Sequence, residues 1–315
     1  MKRVLVTGAT GFVGSQCIPV LAGESYEVHA VSSKRRANAS GDRVSWHQCD
    51  LMNDGEVESL FAAVRPTHLL HMAWYAVPQR FWNAVENVDW LRTTLAIVRS
   101  FAAHGGTRVV AAGSCAEYDW SSGGVCRETS TRTQPATLYG ACKLAAYLAT
   151  DAYCRQIGIS SAWGRIFFMY GPGEDRQRFV ASIITSLMEG LPARCSDGSQ
   201  VRDMLHVQDV ARAFVALLGS DVRSAVNIGS GTSPRLADVA RAIAAKMGRP
   251  DLLQLGALAP RPNDPPSVVA ETRRLNEEVH WSPGMSLDAG LEQAIAWWQS
   301  RPKQQSNRET DEAHH

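Results

Sequence analysis

The residues that point most directly to chemistry are Tyr139 and Lys143, four positions apart in PATLYGACKLAAYLATDAYCRQIG. In a helix this spacing places both side chains on one face. A free phenol has a pKa of about 10, and a nearby ammonium favours the phenolate and lowers that pKa. Such a tyrosine can give or take a proton at a substrate oxygen. Ser114, which ends the apolar segment RVVAAGS, can donate a hydrogen bond to the same oxygen.

The N-terminus predicts the element that brings a reactive group beside these side chains. VLV at 4–6 is an apolar run typical of a strand buried on both faces. It leads into TGATGFVG, with glycines at 8, 11 and 14, and then into a predicted helix. Glycine permits a tight turn and close approach of the backbone to a pyrophosphate, whose charge the helix N-terminus favours. The spacing is G-x-x-G-x-x-G instead of G-x-G-x-x-G, and its position between strand and helix predicts a dinucleotide site.

The end of the second predicted strand, EVHAV at 27–31, indicates which dinucleotide is preferred. An NAD site usually has an acidic residue here for the ribose 2′-hydroxyl, whereas an NADP site has arginine for the 2′-phosphate. Ser32 stands at the acidic position and is followed by Ser33, Lys34, Arg35 and Arg36. A guanidinium suits a phosphate, and an aspartate would repel it. We therefore predict a preference for NADP, with NAD possible.

Predicted strands and helices alternate along the chain, as they do in βαβ units. Further strands are predicted at 44–51, 67–74 and 108–114, and long helices at 82–104 and 137–158. The right-handed crossover rule then gives an α/β fold with a doubly wound (Rossmann) parallel sheet. Ligands in such sheets bind beyond the carboxyl ends of the strands, where Asp50, Ala73 and Ser114 fall.

The expected organisation has a dinucleotide-binding domain at 1–170, to which 200–230 returns, and a smaller C-terminal α/β substrate domain at 171–300. The last residues, 301–315, are polar and lack apolar periodicity, so we predict a disordered tail.

Composition excludes several classes of protein. The chain has 315 residues, 45% of them hydrophobic, and a net charge of +1, so no basic excess favours nucleic acid. Its seven cysteines are odd in number and form no CxxC pair, which argues against a disulfide framework or a metal site. The N-terminal apolar run is too short for a signal peptide or a membrane span. We expect a cytoplasmic protein without membrane contacts.

Taken together, these segments resemble the extended short-chain dehydrogenase/reductases, the NAD(P)-dependent epimerase/dehydratase group. The resemblance rests on TGATGFVG, CDL at 49–51, HMA at 71–73, Ser114 and YGACK at 139–143, and continues through GRIFFMYGPG, DGSQVRDMLHVQDVARA and NIGSG to about residue 300. It implies that Tyr139 is the acid/base, that Lys143 lowers its pKa and binds the nicotinamide ribose, and that Ser114 polarises the substrate oxygen. The full set of predicted dinucleotide contacts is Gly8, Thr10, Gly11, Phe12, Val13, Gly14, Ser32, Ser33, Lys34, Arg35, Asp50, Leu51, Met72, Ala73, Trp74, Asn87, Tyr139, Lys143 and Ile166.

The resemblance also implies a nucleoside diphosphate sugar as substrate and a homodimer formed through the two long helices. Arginine binds a diphosphate at two points, and Arg202 and Arg261 match such arginines of the family. Phe168 departs from the family, which often has an asparagine there to bond the substrate phosphates. Bulky aromatics follow the fourth strand and are expected either to narrow the sugar pocket or to pack a loop. The predicted substrate contacts are Trp74, Tyr75, Ser114, Phe168, Arg202 and Arg261.

The residues after Ser114 bear on the reaction. In the 4,6-dehydratases of this family an aspartate and a glutamate follow the site hydroxyl, and elimination of water needs such an acid and base. Here the two positions are Cys115 and Ala116, and Glu117, one position later on an extended chain, would point away. Dehydration is therefore not expected.

Reduction and epimerisation remain as reactions. We predict an NADPH-dependent 4-ketoreductase acting on a nucleotide-linked 4-keto-6-deoxy sugar of the kind used in surface polysaccharides such as O-antigen. The alternative is an NAD-dependent nucleotide-sugar 4-epimerase. A third reading is a catalytically silent dinucleotide-binding regulator, which typically lacks the tyrosine and lysine found here. A reductase of steroid or flavonoid-type substrates would leave Arg202 and Arg261 without a ligand.

Overall fold

The computed structural model describes residues 2–36, 43–121, 123–260 and 264–301. Arg261 and the predicted tail from residue 302 onward lie outside the described residues. Within the described segments the strands are β1 (Lys2–Thr7), β2 (Tyr26–Ser32), β3 (Val44–Gln48), β4 (His68–His71), β5 (Arg108–Ser114), β6 (Gly124–Cys126), β7 (Ser160–Ile166), β8 (Phe168–Tyr170), β9 (Ala193–Arg194), β10 (Val201–Arg202), β11 (Met204–His206), β12 (Ser224–Ile228), β13 (Leu253–Gln254) and β14 (Ser267–Ala270).

The α-helices of the same segments are α1 (Gly14–Gly23), α2 (Asp54–Val64), α3 (Glu86–Ala103), α4 (Leu138–Gln156), α5 (Phe179–Met188), α6 (Val207–Gly219), α7 (Leu236–Lys246) and α8 (Leu287–Gln299). A short 3₁₀ turn, Cys115–Glu117, follows β5 directly. None of the helices in the described segments is both long and apolar enough to cross a bilayer.

Seven strands form one sheet in the order β12-β7-β5-β4-β1-β2-β3. Every neighbouring pair in it is parallel. The strand order reverses between β1 and β4, and the carboxyl ends there form the crevice in which doubly wound folds bind ligands. The predicted α/β fold with a doubly wound parallel sheet is confirmed.

The sheet is covered on both faces, and alternating residues of β1 face opposite layers. Val4 and Val6 pack with α1 and α6, whereas Leu5 packs with α2 and α3. Phe214 of α6 and Phe101 of α3 are fully buried in these two layers. This two-sided burial explains why β1 reads as a continuous apolar run in the sequence.

A second apolar cluster lies in the C-terminal part of the chain, where α5, α7 and α8 pack together around Ile184, Ile243 and Leu291. The chain returns to the main sheet between these elements, because β12 pairs with β7 and α6 packs against α1. The division into a dinucleotide domain and a substrate domain at residue 170 stays a prediction.

Several predicted element boundaries were wrong by a few residues. The third strand ends at Gln48, not at 51, because residues 50–53 turn to place Asn53 as the cap of α2. The fourth strand ends at His71 instead of 74, where the chain leaves the sheet edge. The helix predicted from 82 begins at Glu86, since Asn87 donates hydrogen bonds to the carbonyls of Phe81 and Ala84 and holds that segment in a turn.

Candidate active site

A cavity of about 390 Å³ lies at the carboxyl ends of β1, β2, β4 and β5. The glycine-rich loop forms one wall. Gly8 has a φ of 66°, and a Cβ there would lie 2.7 Å from the Ala73 nitrogen; a Cβ on Gly14 would lie 2.1 Å from the Gly8 oxygen. Only glycine fits either position, so the loop packs tightly enough to present backbone to a ligand. No side chain caps α1, which begins at this loop, and its N-terminus suits a pyrophosphate.

Most of the predicted dinucleotide contacts meet at this cavity. The structure places around it Gly8, Thr10, Gly11, Phe12, Val13, Gly14, Ser32, Ser33, Asp50, Leu51, Met72, Ala73, Trp74, Tyr139, Lys143 and Ile166. An elongated dinucleotide fits a space that runs from a glycine loop at one end to a tyrosine and lysine at the other. The cavity also has lining residues that the sequence did not suggest, namely Val31, Cys49, Met52, Ala76, Trp90, Ala112, Gly113 and Met169.

The end of β2 brings serines, and no acidic residue, to the cavity. Ser32 is buried and its hydroxyl accepts a hydrogen bond from the Lys34 backbone nitrogen at 3.2 Å. Lys34 and Arg35 are exposed and do not line the cavity. The guanidinium of Arg36 lies over the ring of Trp46, 4.9 Å from its centroid. The basic residues that follow Ser32 are therefore exposed and do not line the cavity.

Tyr139 lies in the first turn of α4, whose N-cap Thr137 accepts a hydrogen bond from Gly140. Its ring is surrounded edge-on by Trp74, Phe81 and Trp82, at centroid distances of 6.5, 4.8 and 5.9 Å. The aromatics after β4 therefore enclose the phenol. The bulky aromatics that follow the fourth predicted strand are Trp74, Tyr75, Phe81 and Trp82, and of these only Trp74 lines the cavity.

The ionisation of Tyr139 differs from the sequence-based expectation. Burial raises the pKa of this phenol above its ordinary value, although a hydrogen bond with Ser114 and the charge of Arg178 act in the opposite direction. Lys143 is not among the groups that shift the pKa of Tyr139 here, so its predicted effect on that pKa stays a prediction. Burial lowers the pKa of Lys143 itself to about 7, so the lysine loses its charge before the phenol would ionise.

Lys143 lies one turn after Tyr139 and is 3% exposed. Its ammonium donates a hydrogen bond to the Ala112 carbonyl at 2.7 Å and lies 3.8 Å from the ring centroid of Trp74. The Trp74 indole nitrogen donates to Asn87 Oδ1 at 2.8 Å. Asn87 is fully buried and does not line the cavity, and its predicted contact with a dinucleotide stays a prediction.

Ser114 ends β5 and begins the 3₁₀ turn, where its hydroxyl oxygen accepts a hydrogen bond from the Ala116 nitrogen at 3.1 Å. Its backbone N–H donates to Glu117 Oε1 at 2.9 Å, which completes a capping box. The hydroxyl hydrogen stays available to a neighbouring oxygen, and Tyr139 is the partner that this structure provides. The Ser114 and Tyr139 side chains therefore lie next to each other.

Glu117 is fully buried and faces the protein interior. Its carboxylate accepts hydrogen bonds from Arg165 Nε at 2.7 Å and from Trp163 Nε1 at 2.8 Å. The expectation of an extended chain here was wrong, because residues 115–117 form a 3₁₀ turn. Glu117 still points away from the site, because its carboxylate is held in a buried ion pair with Arg165. Sequence reasoning missed this Glu117–Arg165 pair, for which an arginine inside an apolar strand is the only local signal.

The two positions after Ser114 hold no proton-transfer group. Cys115 is buried, and burial raises the pKa of its thiol well above the ordinary value. Ala116 has no functional group. The described site therefore holds one side chain suited to proton transfer at a substrate oxygen, Tyr139, with Ser114 as hydrogen-bond donor and Lys143 as cation.

Two of the predicted substrate residues, Arg202 and Phe168, lie apart from this cavity. Arg202 is buried, and its guanidinium pairs with Asp264 at 2.6 Å and donates to the Val201 carbonyl at 2.9 Å. It also lies over the ring of Phe168, 5.2 Å from the centroid. Phe168, which departs from the family pattern, thus lies against Arg202, the residue predicted to bind the diphosphate. Neither residue lines the cavity.

The fold and this site define a class. A parallel sheet with a glycine-rich loop after its first strand, and a serine, a tyrosine and a lysine together at its carboxyl edge, is the arrangement of the extended short-chain dehydrogenase/reductases. Residues 4–229 match the model of the NAD dependent epimerase/dehydratase family, and the chain belongs to that family.

Comparison with individual proteins gives relatives of three kinds. The chain is 25% identical to UDP-glucuronic acid decarboxylase 1 of Xenopus tropicalis, over 97% of this chain and 74% of the relative. It is 27% identical to a dTDP-4-dehydro-6-deoxy-D-allose reductase of a Streptomyces species, over 94% of this chain and 96% of the relative. The crystal structure of the UDP-glucose 4-epimerase of Thermus thermophilus with NAD is similar at a TM-score of 0.81 and 26% identity, covering 95% of this chain and 99% of that one.

Proposed function

We propose that this protein reduces a nucleotide-linked 4-keto-6-deoxy sugar at C4, with NADPH as the hydride donor. The observation that carries this proposal is the Tyr139 phenol, which burial keeps protonated and which lies beside Ser114 and next to the dinucleotide cavity. Reduction of a ketone requires a proton donor at the carbonyl oxygen, whereas the oxidation that begins an epimerase cycle requires a base there.

In the proposed reaction each group at the site has a separate role. The glycine loop and the α1 N-terminus hold the pyrophosphate, and a reduced nicotinamide supplies the hydride when bound. The Ser114 hydroxyl donates a hydrogen bond to the ketone oxygen and stabilises the negative charge that develops there. Tyr139 gives its proton to the same oxygen. Lys143 lies one turn away, and with a pKa lowered to about 7 it supplies a positive charge beside this site when it is protonated.

The nucleotide sugar is supported by the kinds of relatives that the chain matches along almost its whole length, including two dTDP-4-dehydro-6-deoxy-D-allose reductases at 27% and 26% identity. We assign the diphosphate to Arg202, which would exchange its partner Asp264 for the ligand, and to Arg261. The positive charge of arginine suits a diphosphate better than a neutral ketone. NADPH is favoured because the end of β2 has Ser32 in place of an acid.

We further propose a homodimer formed through α3 and α4. Exposed apolar side chains mark these helices and their ends, at Val85, Val88, Leu148, Tyr153 and Ile157. Burial of such side chains against a second copy would remove them from water. Sedimentation of the purified protein tests this: a monomer at micromolar concentration would contradict it.

The reaction is tested with purified protein, NADPH and a dTDP- or UDP-linked 4-keto-6-deoxy sugar, by following the absorbance of the reduced nicotinamide. Loss of absorbance with formation of the 4-hydroxy sugar is expected. In a parallel reaction with the Tyr139→Phe variant, consumption of NADPH should nearly stop.

The second candidate is an NAD-dependent nucleotide-sugar 4-epimerase, which the similarity to UDP-glucose 4-epimerases favours. It predicts the opposite pattern: no net consumption of NADPH, and interconversion of two 4-hydroxy nucleotide sugars without added dinucleotide. That result would refute the reductase. Incubation with UDP-glucose followed by analysis of the sugar distinguishes the two.

A further inference from the structure

The two tryptophan rings near the Lys143 ammonium are not explained by the reaction scheme alone. The Trp74 ring centroid lies 3.8 Å from Nζ, and that of Trp163 lies 5.9 Å from it. The Ala112 carbonyl accepts the ammonium hydrogen bond at 2.7 Å. Indole presents a negative π-face to a cation, and this attraction is strongest where water is excluded, as it is around this buried side chain.

Trp74 is itself fixed in this position. Its indole nitrogen donates to Asn87 Oδ1 at 2.8 Å, while the Asn87 amide donates to the carbonyls of Phe81 and Ala84 at 2.7 and 2.8 Å. Trp90, one turn after Asn87 on α3, lies 6.5 Å from Trp74 between ring centroids. The indole plane is therefore set by a buried amide, which leaves it little freedom to turn away from the lysine.

We propose that Trp74 is a positioning residue for Lys143: its π-face holds the side chain in place and favours its charged form, and Asn87 sets the orientation of the indole. The consequence for turnover rests on the proposed function, in which Lys143 acts as a cation beside Tyr139. The effect on the ionisation of Lys143 does not depend on which substrate is bound.

The charged and titratable neighbours support the need for such a residue. Burial lowers the pKa of Lys143 to about 7, against which the Glu117 carboxylate acts. Glu117 is shared with Arg165, its direct ion-pair partner. His71 of β4 faces the same region, and burial, together with the Lys143 charge, lowers its pKa to about 3, so it stays neutral and adds no attraction. Since the one nearby carboxylate is shared with Arg165, we expect the tryptophan face to help keep this ammonium charged near neutral pH.

The test is an NMR titration of the whole protein labelled with ¹³C at the lysine ε-carbon, whose shift reports the charge of each amine. The chain has five lysines, and the Lys143→Met variant assigns the signal. Trp74→Leu should lower the pKa of Lys143 by about one pH unit, a tenfold change in the ratio of ammonium to amine. Trp90→Leu is the matched control, because Trp90 lines the same cavity, and should leave the titration unchanged.

Two outcomes overturn the inference: an unchanged Lys143 titration in Trp74→Leu, or an equal shift in Trp90→Leu. If Trp74→Leu does not fold, Trp74→Phe is titrated in its place. This variant keeps a smaller ring and loses the hydrogen bond to Asn87, so we expect about half the pKa shift in the same direction. An unchanged Lys143 pKa in Trp74→Phe would contradict the proposal. The titration needs no substrate, so its result is independent of the reductase assay. If both proposals hold, the fall of kcat/KM at alkaline pH begins about one pH unit earlier in Trp74→Leu.

Discussion

Replacement of Glu117 by glutamine tests whether this carboxylate is a structural ion-pair partner. The side chain is fully buried and accepts hydrogen bonds from Arg165, Trp163 and the backbone of Ser114, at 2.7, 2.8 and 2.9 Å. Glutamine has nearly the same shape but no charge, and an NH₂ group replaces one of the two carboxylate oxygens. That NH₂ group would face the N–H donors that now bond to the carboxylate. Glu117→Gln therefore leaves the Arg165 guanidinium buried without its counter-charge.

The expected cost is large. Removing one partner of a buried ion pair typically destabilises a protein by about 3–5 kcal/mol, because the remaining charge stays buried. Burial alone would lower the pKa of Arg165, yet its pKa is raised overall, because Glu117 and Tyr118 together outweigh the desolvation of the guanidinium. A loss of about 3–5 kcal/mol is a large share of the roughly 5–15 kcal/mol that stabilises a typical folded protein.

The assay is urea unfolding followed by fluorescence, with Asp238→Asn as the matched control. Asp238 makes the same kind of contact with Arg241, at 2.9 Å, but on an exposed surface. Its replacement should change the free energy of unfolding by no more than about 1 kcal/mol. Equal effects of the two substitutions would refute the assignment of Glu117 to the protein's framework. Full stability with complete loss of turnover would instead place Glu117 in the chemistry and reopen dehydration as a reaction.

Three further predictions concern the site itself. Tyr139→Phe removes the proton donor and should lower kcat by about 10²- to 10⁴-fold while dinucleotide binding, measured by fluorescence titration, is retained; unchanged turnover would contradict its role as the acid. Ser32→Asp places a carboxylate where we expect the 2′-phosphate, so kcat/KM with NADPH should fall at least about tenfold relative to NADH, and an unchanged ratio would show that Ser32 does not face the phosphate. Lys143→Met should raise the free energy of unfolding at neutral pH, on the order of 2 kcal/mol, because the folded state lowers the lysine pKa to about 7 from an unfolded value of about 10.4. Between pH 7 and about pH 10.4 the unfolded wild type binds more protons than the folded protein, so wild-type stability rises with pH. The stability advantage of Lys143→Met should therefore shrink toward pH 10. A difference in the free energy of urea unfolding that stays constant from pH 7 to 10 would be inconsistent with this lysine pKa shift.

The sequence alone determined the class of fold and many of the residues that line the cavity. Glycines at fixed spacing between a strand and a helix are a local property, since the turn and the close packing of Gly8 against Ala73 need that residue type wherever the fold occurs. The strand ends were located to within a few residues, because apolar runs buried on both faces leave a clear signal. Ser114, Tyr139 and Lys143 follow from the same logic, as each sits at a predictable place on a strand end or a helix face.

Tertiary structure alone decided the electrostatics of the site and the course of its loops. Whether Lys143 lowers the pKa of Tyr139 depends on how deeply both groups are buried, and burial is a property of the whole fold. Glu117 turns inward because Arg165, 48 positions later, lies within reach of it in the folded sheet. Trp74 lies over the lysine because Asn87 of α3 fixes its indole. These contacts join residues far apart or in different elements, and local spacing holds no information about them.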